Sequence, residues 1–296
     1  MIGLERGTVR LEEHNDTWMT VAGEMCRHIK DALGTLAVDV AHVGSTSVPG
    51  LCAKPIIDLA VAVTDFSDEV TCRLESAGYM HVPSRDDEVQ MLFSQGQGEW
   101  RSAHVHVVGY MSMEWRNYLN FKAYLIAFPA VCAQYAALKS ELAQKYACDR
   151  ESYTQGKAEF ITYHLRKAMV WSYLGKQVDA EVDRPIGYVH VKGEKTLIYP
   201  VNYGYIPGVL GGDGEELDVY FLGADQPLER FSGRVIAIAH RADDVEDKMV
   251  ACPTHTELSP EQVCRGIYFQ EKYYNTTIEM FDGQIYCVSN GEKNDC

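Results

Sequence analysis

The chain has 296 residues, 46% apolar and 23% charged, the composition of a globular protein long enough for two domains. Its net charge of −15 argues against a sequence-independent nucleic-acid surface, which needs clustered lysine and arginine, and suits Mg²⁺, whose protein ligands are mostly carboxylates. The N-terminus lacks a signal-peptide core and no apolar run reaches membrane-spanning length. We therefore expect a cytoplasmic protein without a membrane or nucleic-acid partner. The sequence leaves its oligomeric state open.

The first half of the chain predicts alternating helices and strands. Asn15 or Asp16 can cap a first helix that Gly34 ends, and apolar runs predict strands over residues 36–43 and 56–63. Further elements are predicted at residues 67–74 (helix), 88–93 and 103–108 (antiparallel strands), and 112–127, 130–147 and 151–174 (helices). This part is an α+β domain over residues 1–175.

The pattern changes after residue 175. Residues 175–184 are polar and predict a linker. Short β-type runs broken by Gly and Pro follow at 188–191, 197–201, 219–222 and 235–239, then a helix near 260–272 and a strand at 276–281. A mostly β domain over residues 183–296 is therefore expected. Nine scattered cysteines without a Cys-x-x-Cys pair favour reduced thiols over a zinc site.

A Gly-Ser loop joins the two strands of the first domain. Backbone N–H groups and hydroxyls of Gly44, Ser45 and Thr46 can hold phosphate oxygens there. Asp58, on the following strand, is the predicted Mg²⁺ ligand. A second acid two residues further on would share its face, but position 60 is Ala60, so the sequence lacks one carboxylate of a two-metal site.

Basic side chains elsewhere in this domain extend the predicted site. His104 and His106 share one strand face and can lie beside Asp58, where they could complete a metal site or act as general base. The alternative is a partly buried polar strand face. Lys54 and Arg101 are candidates for binding phosphate, although each could also be a surface charge.

The second domain has two acidic runs after a tyrosine-rich strand at 199–207. Their spacing allows carboxylates to converge on Mg²⁺, which would neutralise pyrophosphate and lower the pKa of a bridging water that acts as nucleophile. The acids concerned are Asp213, Glu215 and Asp218 in the first run and Asp243 and Glu246 in the second, which also contains Lys248. Either run alone could be a solvated loop.

The motif HVGSTSVPGLCAKPIIDLAV resembles the GrpB family, a branch of the DNA polymerase beta-like nucleotidyltransferase superfamily. The resemblance covers residues 8–174 and implies that superfamily's mixed sheet with C-terminal helices. It also implies that Gly44 and Ser45 bind the triphosphate and that Asp58 binds Mg²⁺. His42, His104 and His106 match recurrent family positions.

The motifs YPVNYGYIPG, DGEELDVYFLG and DVEDKMVACP are similar to family I inorganic pyrophosphatases over residues 182–282. The resemblance implies a small barrel whose Mg²⁺ ligands are Asp213, Glu215, Asp218, Asp243 and Glu246. It places phosphate on Tyr203, Lys248 and Tyr273. The family's upstream phosphate-binding cations have no clear counterpart; Arg184, Lys192 or Lys195 could substitute, and Tyr274 stands where the family has a lysine.

Both resemblances together suggest a bifunctional Mg²⁺-dependent enzyme. The first domain would transfer a nucleotidyl group from ATP or CTP to a small-molecule acceptor, which could be a carboxylate activated for ligation. Ser45, Asp58, His104 and His106 would act there, and Asp218 in hydrolysis of the released pyrophosphate by the second domain. Two alternatives stay open: a phosphoanhydride hydrolase with a non-catalytic nucleotide-binding domain, and a non-catalytic sensor.

Overall fold

The structure, a computed structural model, describes residues 2–193, 195–211, 214–244 and 246–288. The chain forms two compact units, Met1–Leu165 and Arg166–Cys296. The domain ranges expected from the sequence, 1–175 and 183–296, stay a prediction.

The N-terminal unit is built on a sheet of six strands flanked by helices. Its elements are β1 (Leu4–Glu5), α1 (Thr17–Leu33), β2 (Ala37–Val43), β3 (Ile57–Val63), α2 (Asp68–Ser76), β4 (Met80–His81), β5 (Gln90–Gln97), β6 (Trp100–Gly109), α3 (Met113–Ala127), α4 (Pro129–Lys145), α5 (Arg150–Gln155) and α6 (Ala158–Trp171). The strand order is β2-β3-β6-β5-β4, with β1 on β6. Only β3 and β6 pair in parallel, so the sheet is mixed, as predicted.

Alternation along β3 and β6 gives this sheet two different faces. One face joins α1 in a core that includes Trp18, Val61 and Val105. The other buries Ala60 together with Trp115 of α3. The predicted site residues on β3 and β6 belong to this second face, where α3 leaves room at the end of the strands.

Over its described residues, the C-terminal unit is a closed barrel with one helix. Its elements are β7 (Gln177–Arg184), β8 (Val189–Lys192), β9 (Lys195–Ile198), β10 (Asn202–Leu210), β11 (Glu216–Phe221), β12 (Arg230–Arg241), β13 (Lys248–Cys252), α7 (Pro260–Glu271), β14 (Thr276–Met280) and β15 (Ile285–Cys287). The order β13-β11-β10-β7-β12 closes through pairing of β12 with β13, and β14 and β15 extend it from β12. The predicted α+β fold with a small barrel is confirmed.

Two predictions about elements are wrong. The helix expected over residues 151–174 is two helices, because the chain breaks at Gly156, where a Cβ atom would lie 2.6 Å from Leu142. The expected linker at 175–184 contains β7, a barrel strand paired with β10 and β12. Val178 and Ala180 of β7 are buried, and this short alternation was hidden among acidic residues.

Within the described residues, no single helix is long and apolar enough to cross a membrane. The α3–α4 pair passes that test jointly, but its two helices meet at 107°. Seven cysteines are free thiols, of which Cys72 and Cys148 are exposed. Among the described cysteines, these seven agree with the expectation of reduced thiols, whereas Cys287 is disulfide-bonded.

Candidate functional sites

The Gly-Ser loop is packed directly on β3. Gly44 has φ of 69°, and a Cβ atom added to it would lie 2.6 Å from Asp58 Oδ2, so only glycine fits there. Ser47 donates a hydrogen bond to the Gly44 carbonyl at 2.7 Å, and the buried Thr46 hydroxyl pairs with His42 Nε2 at 2.9 Å. The loop is therefore fixed from within, and Thr46 acts as part of its support.

Asp58 is held by the two predicted histidines of β6. In the parallel register Asp58 lies opposite His104, and Ala60 opposite His106. Oδ1 of Asp58 is 3.1 Å from His104 Nδ1 and 3.7 Å from His106 Nε2. Burial raises the pKa of Asp58, but the hydrogen bonds and charges of the two histidines outweigh it and hold the pKa well below its usual range. The carboxylate is therefore ionised.

The missing second acid is explained by packing. Ala60 is fully buried beside Val43, Ala62 and Trp115. An aspartate at position 60 would carry a charge into this apolar cluster. The imidazole of His106, across the strands, lies beside Asp58 instead.

Three cations gather around Asp58. Burial, together with the charges of Arg150 and Lys157, lowers the pKa of Lys54 to about 8. Burial likewise lowers the pKa of Lys157, and Arg150 adds to the effect. For both lysines, Asp58 is the carboxylate whose charge opposes this. The site carries excess positive charge suited to an anionic ligand.

The predicted Arg101 has a different role in the fold. Its guanidinium donates hydrogen bonds to the carbonyl oxygens of Gly98 and Trp100, at 2.6 and 3.1 Å, in the β5–β6 turn. Arg150 instead places Nη2 3.5 Å from His104 Nε2. No sequence pattern predicts Arg150 as a site residue, because a lone arginine in a helix is usually a surface charge.

A cavity of about 390 Å³ opens beside the loop and Asp58. It is lined by Gly44, Ser45, Val48, Asp58, Glu114, Asn117, Tyr118, Phe121, Lys122, Leu125, Tyr135, Lys157, Ile161 and Leu165. Burial raises the pKa of Tyr135 to about 12, although a hydrogen bond with Ser45 lowers it in part. The helical residues of this wall were not predicted as site residues, since their spacing on α3, α4 and α6 is that of ordinary core.

The second site is centred on Lys248 at the start of β13. Lys248 Nζ donates to Asp218 Oδ2 at 2.5 Å and also to Glu246 Oε2. Tyr203, fully buried on β10, is hydrogen-bonded to Asp218, and burial raises its pKa well above the usual value. Four predicted site residues are thus brought together.

Other predicted residues of this site lie at its edge or elsewhere. Asp213 lies outside the described residues. Glu215 is exposed, and Asp243, also exposed, accepts the backbone N–H of Asn275 at 2.9 Å. Tyr273 is 56% exposed, with Lys272 Nζ 5.1 Å from its ring centre.

Arg184, one of the predicted substitutes for the family's upstream phosphate-binding cations, lies beside Tyr203. Its guanidinium lies 5.0 Å from the Tyr203 ring centre and donates to the Tyr199 hydroxyl at 2.8 Å. Tyr274, at the expected lysine position, instead stacks on Arg241 at 3.8 Å. The side chains of Lys192 and Lys195 are outside the described part of the chain.

The donor atoms of both sites fit Mg²⁺. Carboxylate oxygens are its preferred ligands, and it is often bound by one or two carboxylates plus substrate phosphates. A Cβ atom on Gly211 would lie 2.8 Å from Glu246 Oε1, so the glycine leaves space for this carboxylate. In the part of the chain that is described, which omits Asp213, no group of three or more His, Cys, Asp or Glu side chains is arranged to hold a metal ion.

The family model for GrpB protein matches residues 8–167, more than half of the chain. The chain belongs to the GrpB family. The glutamate-rich protein GrpB of Alkalihalophilus pseudofirmus is 34% identical over 167 residues, which are 54% of this chain and 96% of the relative. The crystal structure of GrpB from Enterococcus faecalis is 30% identical with a TM-score of 0.50, covering 54% of this chain and 96% of that one.

The GrpB-family chain has a second match. The family model for inorganic pyrophosphatase matches residues 171–281. An inorganic pyrophosphatase structure from Ehrlichia chaffeensis is 16% identical with a TM-score of 0.29, covering 39% of this chain and 88% of that one. Both resemblances inferred from sequence are confirmed, and the C-terminal region is pyrophosphatase-like.

Proposed function

We propose that the GrpB region transfers a nucleotidyl group from ATP or CTP to a small-molecule acceptor, and that the pyrophosphatase-like region hydrolyses the pyrophosphate released. The observation that carries the first half is the contact between Gly44 of the loop and Asp58, surrounded by Lys54, Arg150 and Lys157. A loop for phosphate oxygens, one carboxylate and three cations suit a triphosphate.

The residues of the first site would divide the work of transfer. The three cations would neutralise the triphosphate, and the loop at Gly44 and Ser45 would orient it. Mg²⁺ held by Asp58 would supply charge stabilisation at the phosphates. His104 and His106 would keep Asp58 ionised and fixed in position.

Hydrolysis in the second site would remove a product of the first. Lys248, Arg184 and Tyr203 would bind phosphate oxygens, and Asp218, hydrogen-bonded to Tyr203 and Lys248, would orient a water for attack. Asp218, Glu246 and Glu215 offer the oxygens for Mg²⁺, which would lower the pKa of that water. Loss of pyrophosphate would pull the transfer forward.

A second candidate follows from the state of Asp58. Both histidines already engage its Oδ1, and Ala60 removes the second acid. In this second candidate, the N-terminal unit binds nucleotide without catalysing a reaction, and the C-terminal unit is a phosphoanhydride hydrolase.

Separate variants of the two sites distinguish these functions. With the four NTPs, Mg²⁺ and pooled acceptors, we expect Asp58→Asn to abolish NTP consumption and Asp218→Asn to leave consumption intact while pyrophosphate accumulates. The control is Asp39→Asn. Asp39 lies on β2, next to β3, and is a half-exposed acid paired with Lys30. If NTP hydrolysis persists in Asp58→Asn and stops in Asp218→Asn, the protein is a phosphoanhydride hydrolase and the proposed transfer is wrong. If neither variant changes turnover of any nucleotide, both catalytic functions fail.

A further inference from the structure

The histidines near Asp58 have their ring nitrogens in use or buried. His104 pairs through Nδ1 with Asp58, and its Nε2 lies 3.5 Å from Arg150 Nη2. His106 directs Nε2 at Asp58, and its Nδ1 is buried without a hydrogen-bond partner among the described residues. His42 is similar, with Nε2 on Thr46 and Nδ1 buried. None of the three offers a reachable, unbonded nitrogen to a molecule in the cavity.

Two further acid–base groups of the cavity wall, Asp58 and Tyr118, already have partners within the fold. Oδ1 of Asp58 contacts both histidines of β6, and Oδ2 packs against Gly44. Tyr118 donates its hydroxyl to Gln90 at 2.7 Å. A neutral hydroxyl acceptor, unlike an oxyanion, would need a general base to take its proton.

The cavity wall combines two cations with a long apolar stretch. Lys122 and Lys157 line it together with Val48, Phe121 and Leu125. Lys122 Nζ donates to the His42 carbonyl at 3.0 Å, so the ammonium is anchored at the wall with further N–H groups to give. Ile161 and Leu165 of α6 complete the apolar side. Such a wall complements a molecule with one anionic end and an apolar body.

We propose that the acceptor is an organic oxyanion with an apolar body, a carboxylate or a phosphate monoester, held in this cavity by Lys122. The inference rests on the proposed nucleotidyl transfer. An acceptor oxygen forms a bond to the α-phosphorus, the bond from that phosphorus to the oxygen bridging to the β-phosphorus breaks, and pyrophosphate leaves with the electron pair. No proton is transferred, so this step needs no general base.

Three matched acceptors test this with the full-length protein, Mg²⁺ and ATP or CTP: 3-phenylpropanoate, 3-phenylpropyl phosphate and 3-phenylpropan-1-ol. NTP consumption is followed by chromatography, and hydroxylamine traps an acyl nucleotide as a hydroxamate. We expect one oxyanion to be used at least tenfold faster than the alcohol, and the arm that responds identifies carboxylate or phosphate.

Variants place the acceptor in the cavity. Lys122→Met should raise the KM for the oxyanion at least tenfold and leave the KM for NTP within about twofold, whereas Lys145→Met, at the end of α4, should change neither. Equal or faster use of the alcohol, or an unchanged oxyanion KM in Lys122→Met, overturns the inference. If wild type consumes no NTP with any acceptor, the proposed transfer itself has failed, and the inference with it.

Discussion

Gly44 and Asp58 are in direct contact, since a Cβ atom on the glycine would lie 2.6 Å from the carboxylate oxygen Oδ2 and 2.9 Å from the aspartate Cβ. This contact sets the distance between the loop that would receive phosphate and the carboxylate that would hold the metal. The two features are 14 residues apart in sequence, and the register of β2 with β3, which pairs Val43 with Asp58, brings them together.

Gly44→Ala should destabilise the N-terminal unit by about 2–4 kcal/mol, because the positive φ and the contact with Asp58 both oppose a Cβ atom. Gly50→Ala is the matched control, since Gly50 has φ of 76° but nothing within 4 Å of an added Cβ. Gly50→Ala should lower the free energy of unfolding by about 1–2 kcal/mol, because only the strain of the positive φ opposes its Cβ atom. Thermal unfolding measures the stability of the two variants, and tripolyphosphate binding measures whether the loop still receives an anion. Equal losses in the two variants would show that the contact has no consequence.

Lys54→Met should stabilise the ligand-free protein by about 1–2 kcal/mol while abolishing stabilisation by tripolyphosphate, because it removes a buried charge held for a ligand. Burial, with Arg150 and Lys157, lowers the pKa of Lys54 to about 8 from 10.5. Between these values the unfolded chain binds the proton and the folded one does not, so wild type should gain stability as pH rises through this window. The variant should lack that gain. Urea unfolding between pH 7 and 11 tests it, with the half-exposed Lys30→Met as control.

Lys248→Met should destabilise the barrel by about 3–5 kcal/mol, since it leaves two carboxylates, Asp218 and Glu246, without the ammonium between them. Adding Glu246→Gln should recover at least about 1 kcal/mol by removing one charge. Hydrogen exchange of β11 and β13 amides reports the change. The exposed Lys272→Met is the control. No recovery in the double variant would mean that repulsion between the acids is not the cause.

His240 should make the barrel less stable at high pH. Burial opposes its charge, but hydrogen bonds to Asp247 and Glu279, at 2.6 and 2.8 Å, raise the pKa of His240 to about 9. A raised pKa contributes stability that is complete below the unfolded value near 6.5 and is lost as pH rises through about 9. The stability difference between wild type and His240→Gln should shrink by about 2–3 kcal/mol from pH 6 to pH 10.

Hydrogen exchange of β12 amides at the two pH values measures that difference. The exposed His255→Gln should show no such change. A constant difference across the range would contradict the raised pKa.

Much of the first site could be predicted from sequence, because its parts are local. The loop lies between two strongly apolar strands, and alternation predicts that His104 and His106 share one strand face. Their position beside Asp58 depends on the parallel pairing of β3 with β6. Arg150 and Lys157 were not predicted as site residues. They reach Asp58 only through the packing of α5 and α6, which no short-range pattern encodes.

The second site was harder to assemble from its motifs. Asp218, Glu246 and Lys248 were predicted, but their mutual pairing depends on β11 and β13 being parallel neighbours in the barrel. The composition of β7 predicts a linker, because its outward positions are mostly acidic and outnumber the buried Val178 and Ala180. Where a strand has one short apolar face, composition hides the alternation.

The exposed thiol of Cys148 lies two residues before Arg150, whereas the other exposed free thiol of the described chain, Cys72, lies in α2. A fluorophore attached at Cys148 in a Cys72→Ser background would therefore sit next to the helix that supplies a cation to the loop. Its emission would give an optical readout of anion occupancy in real time, without knowledge of the natural acceptor.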